Sequence, residues 1–418
     1  MKNLLIQAES YFDGRQNHSA GPYLFTIANG IIHDICELRS SNGFPANEAT
    51  TPRLHTAFVM PGLVEAHCHL FLDGGELDLA RRKDYLNASR PQMLDTGRIN
   101  LTANLAAGIT LIRDAGDIHG INTHLKEEIT HAPGVVPELR SPGRAIRKTG
   151  RYGSFMALEV SDAASIERTI EALAPTADDL KILLTGIIDF ENGCVKGPVQ
   201  FDLEETRLIV RTARRLGLKT YAHCNGPEGL NIAVEAGIDS IEHGFFMQPD
   251  IVKKMADKGT AWVPTFAPVY FQFARPDVTK WNPATLAKLH AILQNHFHNV
   301  AGAAAKGVPV VAGSDAGSYG VPHGTGLIDE LLFLRQAGLT AGQVLSAATT
   351  VPRQLWNSPP ANVAVGQAAN FIGLADSPFK DINSLRQIQL IYRNGQAVKP
   401  DGTSLIIASP LLISKDLV

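Results

Sequence analysis

In MPGLVEAHCH, residues 60–69, an apolar run ends in two histidines separated by one residue. Such a run is expected of a strand that is buried on both faces of a parallel sheet. In a strand, residues i and i+2 point to the same face, so His67 and His69 would point at one spot while Cys68 points away. Taken alone, this His-x-His pair is a weak signal for a bound metal.

From this stretch onward, short apolar segments alternate with longer helical patterns, which predicts βα units and a parallel sheet. The helical segments 203–216 and 229–236 are each followed by a glycine, a common helix stop. Eight candidate strands lie near Val59–His67, Thr110–Asp114, Leu139–Ala145, Leu180–Thr185, Thr220–His223, Ser240–His243, Trp262–Thr265 and Val308–Ser314. Eight such units close a (β/α)8 TIM barrel, whose chemistry belongs at the carboxyl ends of its strands. An open doubly wound sheet would want a Gly-x-Gly-x-x-Gly loop after the first strand, where none is found.

The two ends of the chain read as β structure. Asn29-Gly30 and Asn394-Gly395 are hairpin signals, and the polar stretch from Ser40 to Pro52 is predicted as a loop. Candidate strands here are Leu4 to Gln7, Leu24 to Ala28, Asn370 to Leu374 and Gln387 to Tyr392. The ends could therefore pair into a small discontinuous β-sandwich domain of residues 1–56 and 362–418, which leaves residues 57–361 to the barrel.

The composition excludes several classes of protein. Of 418 residues, 44% are hydrophobic and 19% are charged, which predicts a large core and excludes a disordered chain. The net charge of -3 is too balanced to suggest a nucleic-acid or membrane-surface partner. The four cysteines are scattered without a CxxC pair, the start MKNLLIQAES is a poor signal peptide, and no apolar run is long enough to span a membrane. A cytoplasmic protein with a small-molecule substrate is expected, and its association into a homo-oligomer is left open.

Three further candidate ligands, His223, His243 and Asp315, close other predicted strands. Taken singly, each is explained by a structural role, because a histidine can bond a carbonyl and an aspartate can cap a helix. Taken together with the first pair, four histidines and one aspartate at strand ends suit zinc. A second His-x-His pair, His296 and His298, lies in a predicted helix, where its members would not share a face, and both are predicted at the surface.

Lys181 lies at the start of an apolar strand, where a charged amine would be costly to bury. A buried lysine readily loses its proton, and a neutral amine can capture carbon dioxide to form an anionic carbamate. The alternative is a lysine at a strand edge that reaches solvent, which the sequence alone favours.

Four segments resemble the motifs of the amidohydrolase superfamily: MPGLVEAHCH (60–69), GITLIRD (108–114), IEHG (241–244) and GSDAG (313–317). The order His-x-His, Lys, His, His, Asp is similar to the superfamily order for a binuclear site. The resemblance covers almost the whole chain and is nearest to the imidazolonepropionase-like and Xaa-Pro dipeptidase (prolidase)-like hydrolases.

The resemblance implies two divalent metal ions, expected to be Zn²⁺. It assigns His67, His69 and Asp315 to the more buried ion, His223 and His243 to the second, and carboxylated Lys181 to the bridge. It further implies that a metal-bridged hydroxide attacks the scissile carbonyl. Asp315 would take the proton from that hydroxide and pass it to the leaving amine.

The loop after the third strand departs from the motif that it resembles. Related dipeptidase-like chains often have Thr-Gly-Gly-His there, whereas this chain has Thr149-Gly150-Arg151-Tyr152. Tyr152 then replaces the histidine and could donate a hydrogen bond to an oxyanion, or it could simply pack. Arg151 could bind a substrate carboxylate, or it could be a solvated surface charge.

Two more residues are candidates for substrate contact. Tyr221 shares a strand face with His223, and His323 matches a motif of the resembling chains; each could equally have a structural role. Arg113 and Asp114 are predicted to form a buried ion pair.

These observations predict a hydrolase that cleaves an amide bond beside a carboxylate, in a dipeptide or an N-acyl amino acid. A cyclic amide, lactone or phosphoester hydrolase using the same centre is the alternative. A deaminase is disfavoured because Gly226 stands where deaminases of the superfamily commonly have a glutamate. A non-catalytic scaffold is disfavoured because all six ligand positions are retained.

Overall fold

The computed structural model describes residues 3–38, 53–131, 135–360, 362–393 and 395–401. The chain divides into two units. Unit 1 comprises Met1–Gly62, Ala106–Gly108 and Pro359–Val418, and unit 2 comprises Leu63–Leu105 and Ile109–Ser358. The predicted loop at residues 40–52 lies outside the described residues, as does Asn394 of the second predicted hairpin turn.

Nineteen strands, most of them short, occur in the described parts of the chain. They are β1 (Asn3–Phe12), β2 (Asn17–His18), β3 (Tyr23–Ala28), β4 (Ile31–Glu37), β5 (Arg53–Pro61), β6 (Leu63–Cys68), β7 (Ile109–Asp114), β8 (Glu138–Arg140), β9 (Ala145–Lys148), β10 (Ala157–Val160), β11 (Asp179–Leu183), β12 (Ile188–Asp189), β13 (Cys194–Val195), β14 (Lys219–Cys224), β15 (Ser240–His243), β16 (Ala261–Val263), β17 (Phe371–Leu374), β18 (Ile388–Arg393) and β19 (Gln396–Val398).

Helices follow most of the strands of unit 2. They are α1 (Leu79–Leu86), α2 (Arg90–Ala106), α3 (Ile121–His131), α4 (Ala163–Leu173), α5 (Leu203–Arg215), α6 (Pro227–Ala236), α7 (Pro249–Lys258), α8 (Phe266–Ala274), α9 (Pro276–Thr279), α10 (Pro283–Ala305), α11 (Thr325–Gln336), α12 (Ala341–Ala347) and α13 (Thr350–Leu355). A 3₁₀ helix spans Ile382–Arg386. Within the described ranges, no helix combines the length and apolarity that a membrane crossing requires.

Unit 1 contains one mixed sheet to which both ends of the chain contribute. Its strand order is β19-β18-β17-β5-β1-β3-β4, and β2 pairs with β1. The predicted hairpin at Asn29-Gly30 is confirmed, because β3 and β4 are antiparallel and both turn residues have a positive φ. One face packs a cluster of buried apolar residues that includes Ile6, Phe25 and Phe371.

Unit 2 is built from parallel strands that alternate with helices, as the sequence predicts. One sheet has the order β10-β9-β11-β14-β15-β16, and a second has the order β6-β7-β8. Every pairing in these two sheets is parallel. Parallel strands carry their carboxyl ends to one edge, so residues at those ends can meet.

The eighth predicted strand, Val308–Ser314, is not a continuous strand. Only isolated bridges are assigned there and just beyond it, from Trp262 to Val310 and from Cys68 to Ala316. Pro309 has no N–H to donate to a ladder, and Asp315 takes a left-handed φ of 58°. Both features interrupt the extended run.

Two other strand boundaries differ from the prediction. The predicted strand Val59–His67 is divided at Gly62 into β5 and β6. The predicted strand Leu139–Ala145 is divided into β8 and β9 by the Pro142-Gly143 turn, in which Gly143 has a φ of 67°. Proline and a left-handed glycine end extended structure, so the continuous strand predicted over these residues is wrong.

The helix boundaries follow the capping signals closely. Helix α5 begins with a capping box in which Asp202 accepts from the N–H of Glu205 and Glu205 reaches back to Asp202. Helix α6 ends at Gly237, whose left-handed φ of 84° suits a residue without a Cβ. These ends fix the approach of the chain to β14 and β15, on which two of the predicted ligands lie.

Candidate metal centre

The six predicted metal ligands all lie in unit 2 and line one cavity of about 560 Å³. His67 lies on β6 with His69 just beyond it, Lys181 on β11, His223 on β14, His243 at the end of β15, and Asp315 follows the interrupted eighth segment. All six are buried. The parallel register places His223 and His243 at neighbouring strand ends, whereas Lys181 is paired with Tyr221, two residues before His223. The Lys181 side chain nevertheless lines the same cavity.

The donor atoms are close enough to share ions. Asp315 Oδ1 lies 3.3 Å from His69 Nε2 and 3.7 Å from His67 Nε2. Ligand atoms of His67, His243 and Asp315 all lie within 4.8 Å of one another. The ring centroids of His223 and His243 are 4.5 Å apart. In a tetrahedral zinc site, donor atoms are about 3.3 Å apart, so the spacing here fits a metal with little movement.

Three of the histidines use one ring nitrogen outside the cluster and keep the other for it. His67 Nδ1 lies 2.6 Å from Glu242 Oε2, and His243 Nδ1 lies 2.8 Å from Thr265 Oγ1. His223 Nε2 lies 3.2 Å from the carbonyl oxygen of Gly186. Such outer bonds fix the tautomer and orientation of metal-binding histidines. Burial lowers the pKa of His67 to about 4 and that of His243 well below its usual value, so both rings are neutral ligands.

Three atoms of the candidate ligands have no hydrogen-bond partner within the part of the chain that the structure describes. They are Lys181 Nζ, His69 Nδ1 and Asp315 Oδ1, and all three are buried. The 3.3 Å approach of Asp315 to His69 is an electrostatic contact without hydrogen-bond geometry. Buried polar atoms in native proteins are nearly always satisfied, so an unsatisfied group of this kind indicates a missing ligand.

Lys181 is buried, and the alternative of a solvent-exposed strand edge is wrong. Its Nζ lies 4.8 Å from the centroid of the Tyr221 ring. Burial lowers the pKa of Lys181 to about 8, because the charged amine has lost its water. A useful fraction of the amine is therefore neutral near physiological pH.

The predicted ion pair between Arg113 and Asp114 is wrong. Successive residues of a strand point to opposite faces, so these two cannot pair with each other. Arg113 instead donates to Glu242 at 2.9 Å, while Asp114 accepts from the backbone N–H groups of Leu70 and Gly116. Burial alone would raise the pKa of Glu242, but Arg113 and His67 outweigh it and lower that pKa to about 2.

The backbone around the ligands is held by groups that the sequence analysis did not single out. Buried Glu65 accepts from the N–H groups of both His67 and Ser314, and so links β6 to the segment that carries Asp315. A Cβ on Gly313 would lie 2.9 Å from the Cβ of His67, so only glycine allows this approach. His243 and Asp315 have φ values of 67° and 58°, a conformation that is rare outside glycine and clusters at functional sites.

Of the four predicted substrate contacts, the structure brings one to the cavity. Tyr152 lines it, with its ring centroid 5.5 Å from that of His223. Burial raises the pKa of the Tyr152 phenol, so the group stays a hydrogen-bond donor. Arg151 is exposed and does not line this cavity.

Tyr221 and His323 have structural partners instead. The Tyr221 hydroxyl donates to the carbonyl oxygen of Asp114 at 2.7 Å, one layer below the histidines. His323 Nε2 lies 3.1 Å from the carbonyl oxygen of Leu72, and its Nδ1 lies 3.3 Å from Asn104 Nδ2. Both ring nitrogens of His323 are thus used, and neither residue lines the cavity.

The predicted surface position of His296 is also wrong, although His298 is exposed. His296 is buried on α10, stacks on Phe245 with ring centroids 3.8 Å apart, and bonds the carbonyl oxygen of Pro264. The helical spacing correctly separates the two histidines, but it turns His296 inward.

The rest of the cavity wall is largely apolar and aromatic. It also contains two cations, Arg82 and Lys83 of α1. The Arg82 guanidinium donates to the carbonyl oxygens of Asp73 and Gly317. The aromatic and aliphatic lining includes Leu79, Tyr85, Leu86, Phe155, Ile187, Phe190 and Tyr319. The sequence analysis missed these residues, since they lie outside every motif and only the folded loops bring them together.

Comparison with known proteins identifies the family of this chain. The family model described as "Amidohydrolase family" matches residues 58–398. An uncharacterised protein of Mycobacterium tuberculosis is 28% identical over 347 residues, which cover 82% of this chain and 86% of that protein. Ochratoxinase of Aspergillus niger is 23% identical over 381 residues, which cover 82% of this chain and 76% of the enzyme.

The fold is shared with a solved structure of a Xaa-Pro dipeptidase with bound methionine in its active site. The TM-score is 0.79 at 23% identity, and the match covers 95% of this chain and 100% of the other. The resemblance to the amidohydrolase superfamily drawn from the motifs is confirmed by the family match. The family match extends over most of the chain and includes all six predicted ligands, so this chain belongs to the amidohydrolase family.

Proposed function

We propose that the chain is a metal-dependent hydrolase that cleaves the amide bond of a dipeptide or an N-acyl amino acid. The observation that carries the proposal is the convergence of six buried candidate ligands, several with unsatisfied donor atoms, in one cavity at the carboxyl ends of parallel strands. We assign His67, His69 and Asp315 to one divalent ion and His223 and His243 to a second. Zinc is the preferred metal because the donors are imidazole and carboxylate.

We also infer that the parallel strands close into a (β/α)8 barrel over residues 57–361. The bridges from Trp262 to Val310 and from Cys68 to Ala316 support closure through the interrupted eighth segment. We propose that residues 1–56 and 362–418 form a β-sandwich domain. The four scattered cysteines, which form no CxxC pair, support a reduced, cytoplasmic location.

Lys181 is proposed as the bridging ligand after reaction with carbon dioxide. The neutral amine would attack the carbon of CO2, form an N–C bond and release one proton, which leaves an anionic carbamate. The buried, unpartnered Nζ and its lowered pKa support this assignment. The resulting negative charge would lie among the histidine rings of the cluster, which suits cation binding.

Bound divalent ions would lower the pKa of a water and polarise the scissile carbonyl. Asp315 would accept a proton from the attacking water and deliver it to the leaving amine nitrogen. Burial alone would raise the pKa of Asp315, but His69 and His67 outweigh burial and lower it, so the carboxylate is ionised and ready to accept. Tyr152 would donate a hydrogen bond to the carbonyl oxygen as negative charge develops there.

The cavity supports a substrate with an apolar part and an anionic part. Its aromatic wall suits an apolar acyl group or side chain, and Arg82 and Lys83 suit a carboxylate beside the amide. The similarity to a Xaa-Pro dipeptidase supports an amide between two amino acids as one such substrate.

The test is release of amine from a panel of dipeptides and N-acyl amino acids, with carboxamide analogues included. The protein is loaded with zinc in bicarbonate, and Asp315→Asn serves as the blank. Turnover should fall about 10²–10⁴-fold in Asp315→Asn. Replacement of exposed Asp250 by Asn is the matched control and should leave turnover unchanged.

Equal turnover in Asp315→Asn and the unaltered chain would contradict the proposal. An inert panel, tested with protein that binds two metals, would reject the amide substrate and direct the search to lactones, cyclic amides and phosphoesters.

A further inference from the structure

The start of helix α8 is capped by a carboxylate that is distant in sequence. Glu330 on α11 is fully buried, and its two carboxylate oxygens accept from the N–H groups of Phe266 and Ala267 at 2.9 and 3.1 Å. These are the first two residues of α8. The first N–H groups of a helix have no partner within the helix, so Glu330 satisfies donors that a local cap would ordinarily satisfy.

The local cap residue, Thr265, is occupied elsewhere. It makes no side-chain cap bond, and its Oγ1 lies 2.8 Å from His243 Nδ1. Thr265 also has φ 49° and ψ 59°, a left-handed conformation that is costly for a β-branched residue. A helix cap ordinarily has extended backbone, so this geometry serves the bond to His243 and not the helix.

The short segment from Trp262 to Ala267 is held on several sides. Trp262 Nε1 donates to the carbonyl oxygen of His243 at 2.9 Å, and buried His296 bonds the carbonyl oxygen of Pro264 at 3.0 Å. A strained conformation persists only when its surroundings over-determine it. Glu330 supplies the restraint on the side of α8, directly beside Thr265.

We propose that Glu330 is a positioning residue for His243: by capping α8 it holds Thr265 in the left-handed conformation from which Oγ1 fixes the His243 ring. In this relay, His243 Nδ1–H donates to Thr265, and Nε2 keeps its lone pair for the cluster. The link to catalysis rests on the proposed function, in which His243 binds a metal, whereas the relay itself is a property of the metal-free chain.

The first readout is therefore free of metal. Nuclear magnetic resonance of the full-length, ¹⁵N-histidine-labelled chain reports the tautomer of His243, whose signals are those missing in His243→Asn. The unaltered chain should show one neutral tautomer with Nδ1 protonated. Thr265→Val removes the hydroxyl at constant shape and should give a mixture, as should Glu330→Gln, which turns one acceptor into a donor that faces an N–H. Thr265→Ser should keep the single tautomer.

The matched control is Asp117→Asn. Asp117 is also buried, and its carboxylate accepts from the N–H groups of Ile121 and Asn122 at the start of α3. This variant should lose thermal stability through the same loss of a cap but keep the His243 tautomer. If Glu330→Gln does not fold, Glu330→Asp takes its place, and Thr265→Val leaves the α8 cap intact.

The second readout is titration with Co²⁺, followed by its visible absorption. Thr265→Val and Glu330→Gln should each weaken binding by about 10–100-fold. The double variant should bind no more weakly than Thr265→Val alone, because Glu330 acts through the threonine. A normal tautomer in Glu330→Gln, or losses that multiply in the double variant, would overturn the relay. A chain that binds no Co²⁺ would reject the proposed function, while the tautomer measurement still decides the relay.

Discussion

The histidine cluster has two sides that differ in how their polar groups are satisfied. On the inner side, Arg113, Glu242 and His67 form a continuous set of hydrogen bonds. On the open side, Lys181 Nζ and Asp315 Oδ1 are buried, and neither has a hydrogen-bond partner among the described residues. On the inner side the buried polar atoms are hydrogen-bonded, as in an ordinary protein core. The unpartnered atoms of the open side are those expected of a site that binds a ligand. Variants on each side should therefore fail in different ways.

The largest effect should come from Glu242→Gln on the inner side. Removing the carboxylate charge leaves the buried Arg113 guanidinium without its counter-charge, which should cost about 3–5 kcal/mol in the free energy of unfolding. Chemical denaturation of the metal-free chain measures this loss. Glu235→Gln is the control, because Glu235 pairs with Lys254 and Lys258 at the surface and its loss should leave stability near that of the unaltered chain. Equal stability of Glu242→Gln and Glu235→Gln would contradict the structural role given to the inner side of the cluster.

The next largest effect should come from Tyr152→Phe on the open side, where catalysis and not stability should respond. Loss of one donor to the developing oxyanion should lower kcat about 10²–10³-fold with little change in KM. Steady-state kinetics on the best substrate of the panel gives both constants. An unchanged kcat would show that Tyr152 only packs in the cavity wall and does not take part in catalysis.

A smaller effect on the open side should appear as a dependence of stability on pH. Burial lowers the pKa of Lys181 from its ordinary 10.5 to about 8, so between these values the unfolded chain binds more protons than the folded chain. The free energy of unfolding should then rise with pH across this window. Subtracting the curve of Lys181→Met from that of the unaltered chain, both without metal and carbon dioxide, isolates this rise. Parallel curves would contradict the buried, neutralised amine.

The smallest effect should come from Arg151→Ala. Its side chain is exposed and does not line the cavity, so kcat/KM should stay within about twofold, as for other surface substitutions. A large rise in KM for carboxylate substrates, absent for their carboxamides, would instead restore Arg151 as a substrate contact.

Sequence periodicity predicted the parts of the fold and site that depend on local geometry. The strand period of two brought His67 and His69 to one face, and the same period explains why Arg113 and Asp114 do not pair. Hairpin and helix ends followed Asn29-Gly30 and Gly237 because left-handed positions need such residues. The ligand order was available from the motifs.

The wrong predictions concern how deeply a side chain lies in the core and which distant residues it contacts. No local sequence pattern encodes either property. Tyr221 shares a face with His223 but lies one layer deeper, where it bonds Asp114. Glu242 was inside a quoted motif, yet its partners are 129 and 175 residues away. The cap supplied by Glu330 and the inward turn of His296 likewise depend on which helices pack together. The prediction of a continuous eighth strand was wrong because Pro309 and the left-handed Asp315 interrupt it, and the proline was visible in the sequence.

The zinc content of the chain is the most direct test of the proposed two-metal centre. The metal-free protein is reconstituted with zinc and bicarbonate, freed of excess metal and analysed by atomic emission, alongside Lys181→Met. We predict two zinc ions per unaltered chain and fewer than two in the variant, because the open side would then lack its bridging ligand. No stoichiometric zinc in the unaltered chain, or equal content in both proteins, would contradict it.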